Sequence, residues 1–144
     1  MKLSKLTPNL AVTDIRQTVQ FYCKNIGFEL VMAVPVTQDG IEQQLSDEKE
    51  YVYALLKKDN VELMIQRSDS FDEDVAVAEK KSIGATVAFY MEGKGIDDFH
   101  TELKNKGIQV TELKLTWYGV KEFYLKDNNG YVLGFAEETE KSNS

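Results

Sequence analysis

One cysteine, one histidine, one tryptophan and two prolines are all that 144 residues hold of these four types, and no apolar run is long. A lone thiol, Cys23, forms no internal disulfide, which excludes a disulfide-stapled framework and makes a reducing cytoplasm the expected compartment. The opening Met1-Lys2-Leu3-Ser4-Lys5-Leu6 lacks the apolar stretch of a secretory signal. Nothing approaches the roughly 18 consecutive apolar residues of a membrane span, so a soluble protein without a membrane partner is expected. Positive charge is in deficit: a net charge of -7 repels a phosphate backbone, and nucleic acid is disfavoured as a partner. Ser-His-Asp sets, phosphate-cradling glycine loops and dinucleotide fingerprints are also missing.

What is present is an ordinary globular balance, 42% hydrophobic and 28% charged, in a chain long enough to bury a core without covalent help. The whole of 1–144 reads as a single domain built from a repeat. Lys24-Asn25-Ile26-Gly27-Phe28 returns eighty residues later as Lys104-Asn105-Lys106-Gly107-Ile108. Before the first glycine, Ile15, Val19, Tyr22 and Ile26 fall at spacings of 4, 3 and 4, the stripe of an amphipathic helix, with Thr13 or Asp14 as its N-cap. Before the second, Ile96, Phe99 and Leu103 make a shorter stripe with Asp97 and Asp98 in its first turn. This leaves His100 on that helix's outer face.

A strand pattern precedes each helix, over 6–12 and 85–91, and three follow: 28–36, 51–56 and 61–66, then 108–115, 120–125 and 131–136. Each half is therefore β-α-β-β-β. Module one spans about 5–67, an acidic linker about 68–82, and module two about 83–138, while 37–50 reads as a long loop. The fold class is α+β. One helix covers one face of a four-stranded sheet, so two such modules are expected to form a curved mixed sheet with helices outside and a concave cleft inside. Alternation puts Leu63 and Ile65 against the helix and turns Glu62, Met64 and Gln66 inward, along with Thr7, Asn9, Ala11, Thr86, Ala88 and Tyr90.

The segments Leu10-Ala11-Val12-Thr13-Asp14-Ile15, Phe21-Tyr22, Ile26-Gly27-Phe28, Trp117-Tyr118-Gly119, Glu122-Phe123 and Asp127-Asn128-Asn129-Gly130 stand in an order that resembles the vicinal oxygen chelate superfamily. That group holds glyoxalases, bleomycin-resistance proteins and extradiol dioxygenases, and this chain is most similar in look to the metal-independent bleomycin-resistance members. The resemblance covers about 5–138. It implies a homodimer and, for metal-dependent members, four ligand positions that fall here on Thr7, Glu62, Thr86 and Gly134. Only Glu62 among these ligates well, and a transition-metal site needs at least three strong ligands, so neither metal nor other cofactor is expected.

The ligand-binding candidates are Glu62, Met64, Tyr90, Trp117, Tyr118 and Asn9. Glu62 is a carboxylate among apolar neighbours, and either a cation keeps it charged or burial raises its pKa. Trp117 and Tyr118 offer flat apolar area with a polar handle. Three functions fit: a binding protein for a small flat or cationic molecule; an isomerase or lyase with Glu62 as general base or metal ligand; and a regulatory or interaction module with a vestigial cleft.

Overall fold

The computed structural model describes residues 1–84 and 87–139. The chain divides into two compact units, Met1–Ile83 and Gly84–Ser144. The first contains β1 (Asn9–Val12), α1 (Ile15–Phe21), β2 (Glu29–Pro35), β3 (Tyr51–Lys58), β4 (Val61–Arg67) and α2 (Ser68–Asp74). The second contains β5 (Ala88–Glu92), α3 (Ile96–Asn105), β6 (Lys114–Leu115), β7 (Val120–Lys126) and β8 (Val132–Glu138). Strands pair into two four-stranded mixed sheets of identical plan, β1-β4-β3-β2 and β5-β8-β7-β6. In each, the first strand runs parallel to the last and the other pairs are antiparallel. The α+β class and the repeated β-α-β-β-β order are thus both present.

The helix of the first unit begins where Asp14 accepts the Gln17 amide at 2.9 Å, satisfying one of the free donors of a helix start. It continues as a π-helical turn, Tyr22–Ile26, and stops at Gly27, whose φ of 93° is open to glycine at no steric cost. The predicted stripe is the buried face: Ile15, Val19, Tyr22 and Ile26 are all at most 6% exposed. They pack with the Leu10, Ala54, Leu56, Leu63 and Ile65 face of the sheet, each of which is also buried.

The 37–50 loop is tied down by α1. The Arg16 guanidinium donates to the carbonyls of Ser46 and Lys49 at 2.6 and 2.9 Å and lies 5.9 Å from the Tyr51 ring centre. Tyr51 in turn accepts the Ser46 amide and donates to Glu42, both at 2.7 Å.

In the second unit, Phe99 packs edge-on to Phe135 and His100 edge-on to Phe123. His100 is a correction to the outward placement: it is 8% exposed, and its Nε2 donates to the Thr111 carbonyl at 2.8 Å. A hydrogen-bonded imidazole edge is compatible with an apolar surround, so the helix buries it. That bond also shortens β6. Thr111 spends its carbonyl on His100 while its hydroxyl accepts the Tyr124 amide at 2.8 Å. The expected strand 108–115 is reduced to Lys114–Leu115 and a single Val110–Leu125 bridge. The start of α3 is capped from β8, the Glu137 carboxylate accepting the amides of Gly95 and Ile96 at 2.9 Å each. The 68–82 segment contains α2 rather than plain linker.

The turn before β8 is organised by Asp127, which accepts the amides of Asn129 and Tyr131 at 2.8 and 2.9 Å. Gly130 has φ of 91° and open space where a Cβ would stand, so a side chain there costs backbone strain without a clash. Gly130→Val should lower stability by about 1–2 kcal/mol and Tm by about 3 °C or more. An unchanged melting curve would refute the strain.

Candidate functional site

Cross-strand pairs share a face, so the register assigns the side of each sheet that α1 or α3 leaves uncovered. In the first unit three rows cross it: Glu29, Lys57 and Glu62; Met32, Leu55, Met64 and Asn9; Val34, Tyr53, Gln66 and Ala11. The middle row is half-buried and mainly apolar. Asn9 donates through Nδ2 to Gln66 Oε1 at 3.0 Å, and Gln66 Nε2 donates to Ser70 Oγ and Asp74 Oδ2 of α2 at 2.9 and 2.7 Å. Gln66, near the end of β4, thus joins Ser70 and Asp74, one turn apart on α2, in a single polar ridge.

Glu62 lies on this face beside Met64, and Lys5 holds it. Lys5 Nζ stands 2.7 Å from its Oε1, and that hydrogen bond keeps the Glu62 carboxyl below the ordinary carboxylate range. The charge is therefore met within the chain. Cys23 is half-buried, and burial pushes its thiol up, the opposite of an activated thiolate.

In the second unit the uncovered face is aromatic. Tyr90, Gly134 and Tyr124 are opposed in one row, and Glu122 lies in the adjoining row with Ala136. Glu122 Oε2 accepts the Tyr90 hydroxyl at 2.6 Å and the Tyr118 hydroxyl at 3.4 Å. The first bond pushes the Tyr90 phenol well above its usual range, because the neutral phenol is the donor. Trp117 is 94% exposed and meets Tyr118 edge-on, ring centres 5.1 Å apart. Tyr90 and Tyr118 are themselves 43% and 46% exposed, so these aromatics are not core.

Gly134 makes the row possible. A Cβ there would lie 2.7 Å from Tyr124 Cε1 and 3.1 Å from Tyr90 Cδ1, closer than van der Waals contact permits.

Residues 5–135 match the Glyoxalase/Bleomycin resistance protein/Dioxygenase superfamily. The chain belongs to it. A bleomycin resistance protein of Geobacillus stearothermophilus is 27% identical over 140 residues, which span 91% of this chain and 94% of the relative. Among solved structures, TnmS3, an antibiotic binding protein from Streptomyces sp. CB03234, superposes with a TM-score of 0.67 at 17% identity, covering 96% of this chain and 99% of that one. A bleomycin-binding protein complexed with bleomycin superposes with a TM-score of 0.61 at 18% identity, covering 95% and 100%. These likenesses show the fold.

The residues present do not fit the superfamily's metal centre. Of the four positions that the resemblance implies, Thr7 offers only a hydroxyl, Glu62 is engaged by Lys5, and Thr86 lies outside the described residues. At Gly134 the tyrosine rings fill the space a ligand side chain would need. Among the described residues no group of three or more His, Cys, Asp or Glu could hold a metal ion.

The structure joins Tyr90, Tyr118 and Trp117 in one cluster, and it sets Asn9, Glu62 and Met64 on one face of the first unit. It adds two residues absent from the sequence-derived set, Glu122 and Tyr124. Alternation could have found them: Phe123 and Leu125 are buried on the helix side, which turns Glu122 and Tyr124 to the face of Tyr90. Gly134→Ala should overpack this row and cost about 1–3 kcal/mol, recovered in part by a second Tyr124→Ala change. Calorimetric melting of the two variants checks this, and an unaltered single variant would contradict it.

Proposed function

We propose that this superfamily member binds and sequesters a small, flat, cationic organic molecule on the aromatic face of its second unit, without a metal ion. The observation that carries the reading is Glu122 between the Tyr90 and Tyr118 hydroxyls, beside the exposed Trp117. Phenol donors shelter a carboxylate but leave its negative charge in place, and the neighbouring rings attract a cation through their faces. Support comes from the bleomycin resistance relative, which matches nearly end to end, and from the structural neighbours named for antibiotic and bleomycin binding. The first unit's own uncovered face is proposed separately as a contact surface through Met64 and Asn9, with Glu62 and Lys5 forming a neutralised pair beside them.

Sequestration is favoured over turnover because the residue best suited as general base is poorly tuned for it. A base works most effectively with its pKa near the working pH, and Lys5 moves Glu62 away from that. The lone Cys23 supports a cytoplasmic location.

Titration calorimetry with N-methylquinolinium and neutral quinoline tests the binding reading. The cation should bind more tightly. Glu122→Gln should weaken it by about 1–3 kcal/mol and leave quinoline nearly unaffected, whereas Trp117→Ala should weaken both. Equal losses for both compounds in Glu122→Gln, or none in Trp117→Ala, would overturn the assignment.

We also propose a homodimer, since each four-stranded sheet ends in strands with one unpaired edge, and such an edge is a template for pairing with a second chain. Light scattering should give twice the 16.4 kDa chain mass. A single-chain mass at micromolar concentration would exclude it.

A further inference from the structure

The polar ridge on the first unit has a direction. Asp74 offers Gln66 a carboxylate oxygen at 2.7 Å, and a carboxylate only accepts hydrogen bonds. The amide nitrogen of Gln66 must therefore face Asp74, which turns Gln66 Oε1 toward Asn9. An acceptor in that position fixes the second amide as well: Asn9 has to present its nitrogen, as it does at 3.0 Å. Each orientation follows from the one before, and the chain of consequences ends at Asn9 Oδ1.

That oxygen presents almost no surface to solvent, on a residue that is otherwise only half-buried. It is also the single buried side-chain polar atom without a hydrogen-bond partner among the described residues. Asn9 cannot relieve the deficit by turning its amide over, because its nitrogen would be lost to Gln66 and two oxygens would face each other. A buried acceptor without a donor costs on the order of 1–3 kcal/mol. Nothing in the core packing calls for an asparagine here. Its partner across the ladder is Met64, and the row continues through Leu55 and Met32.

We propose that Asn9 Oδ1 is an acceptor site for a ligand N–H group, oriented from a distance by Asp74 through Gln66. The proposal rests on the ligand-binding reading above and deepens it by specifying ligand chemistry: a protonated amine or amidine rather than a fully alkylated cation. Two properties favour a charged donor. Successive hydrogen bonds running toward a carboxylate polarise each amide, so the last oxygen is a stronger acceptor than an isolated one. Charge-assisted bonds are also roughly twice as strong as neutral ones. Asp74 and Ser70 do not touch the donor; they are positioning residues.

The test uses benzylammonium and benzyltrimethylammonium, which share ring and charge but differ in N–H donors. Their binding is followed by NMR at the side-chain amide resonances of Asn9 and Gln66. In the wild-type chain benzylammonium should move both resonances saturably and bind about tenfold more tightly than its trimethyl analogue, the scale of one hydrogen bond to a charged group. Asp74 is exposed, so Asp74→Asn keeps the fold while supplying a donor that lets both amides reverse. The two cations should then bind within about threefold of each other. Asn9→Leu should abolish the preference outright. Equal wild-type affinities, resonances that do not move, or an Asp74→Asn variant that keeps the full preference would each overturn the proposal. If N-methylquinolinium binds while benzylammonium leaves Asn9 unmoved, the acceptor site fails alone. If benzylammonium titrates Asn9 while N-methylquinolinium does not bind, it is the aromatic-face reading that fails.

Discussion

Each four-stranded sheet is packed on one short helix, and a sheet has two faces. α1 with its π-helical turn buries the face of Leu10, Ala54, Leu56, Leu63 and Ile65, α3 buries that of Phe123 and Leu133, and neither reaches the opposite face of its sheet. The opposite faces cannot be ordinary solvent surface, because they carry Met32, Leu55 and Met64 in one unit and Tyr90 and Tyr124 in the other. Neither are they finished cores, since most of these side chains are half-buried or exposed. A surface held in that intermediate state is suited to accept something from outside the sheet. Candidate contacts and the ordering of α2 both follow from this shortage of helix.

The two carboxylates on these faces show how the choice of partner decides what an acid can do. Glu62 is met by an ammonium and faces Lys57 in the ladder, so its charge is cancelled locally. Glu122 is met by phenols, which satisfy lone pairs and leave the charge standing. Residue type and alternation mark both as facing the same way relative to their helices. Only the partners separate them, and Lys5 is 57 positions away from Glu62 in the chain.

That distance also explains what sequence could and could not deliver. The helix stripes and the strand order were legible because they depend on neighbours within a few residues. The duplication was legible because the two units repeat one pattern. His100 was misplaced because its partners, Phe123 and the Thr111 carbonyl, come from other elements. The same holds for the truncated β6. In the candidate site, Tyr90, Trp117 and Tyr118 were visible as strand or pre-strand aromatics. Glu122 was not, because the phenols that distinguish it, Tyr90 and Tyr118, come from outside its strand. The α2 helix was hidden by its composition: Ser68-Asp69-Ser70-Phe71-Asp72-Glu73-Asp74 has little helix propensity, and it is held by Ser70 and Asp74 bonding to Gln66.

Arg16 grips the 37–50 loop through the carbonyls of Ser46 and Lys49, groups that every amino acid possesses. The loop's path is thus written in the main chain and guaranteed by a residue outside it. Substitutions at positions 46 and 49 leave these two bonds available, but they remove the Lys49–Glu42 ion pair and the Ser46 hydroxyl that accepts the Glu48 amide. Freedom of chemical character on this backbone therefore belongs to loop positions whose side chains take no part in those bonds, so long as Arg16 itself is kept.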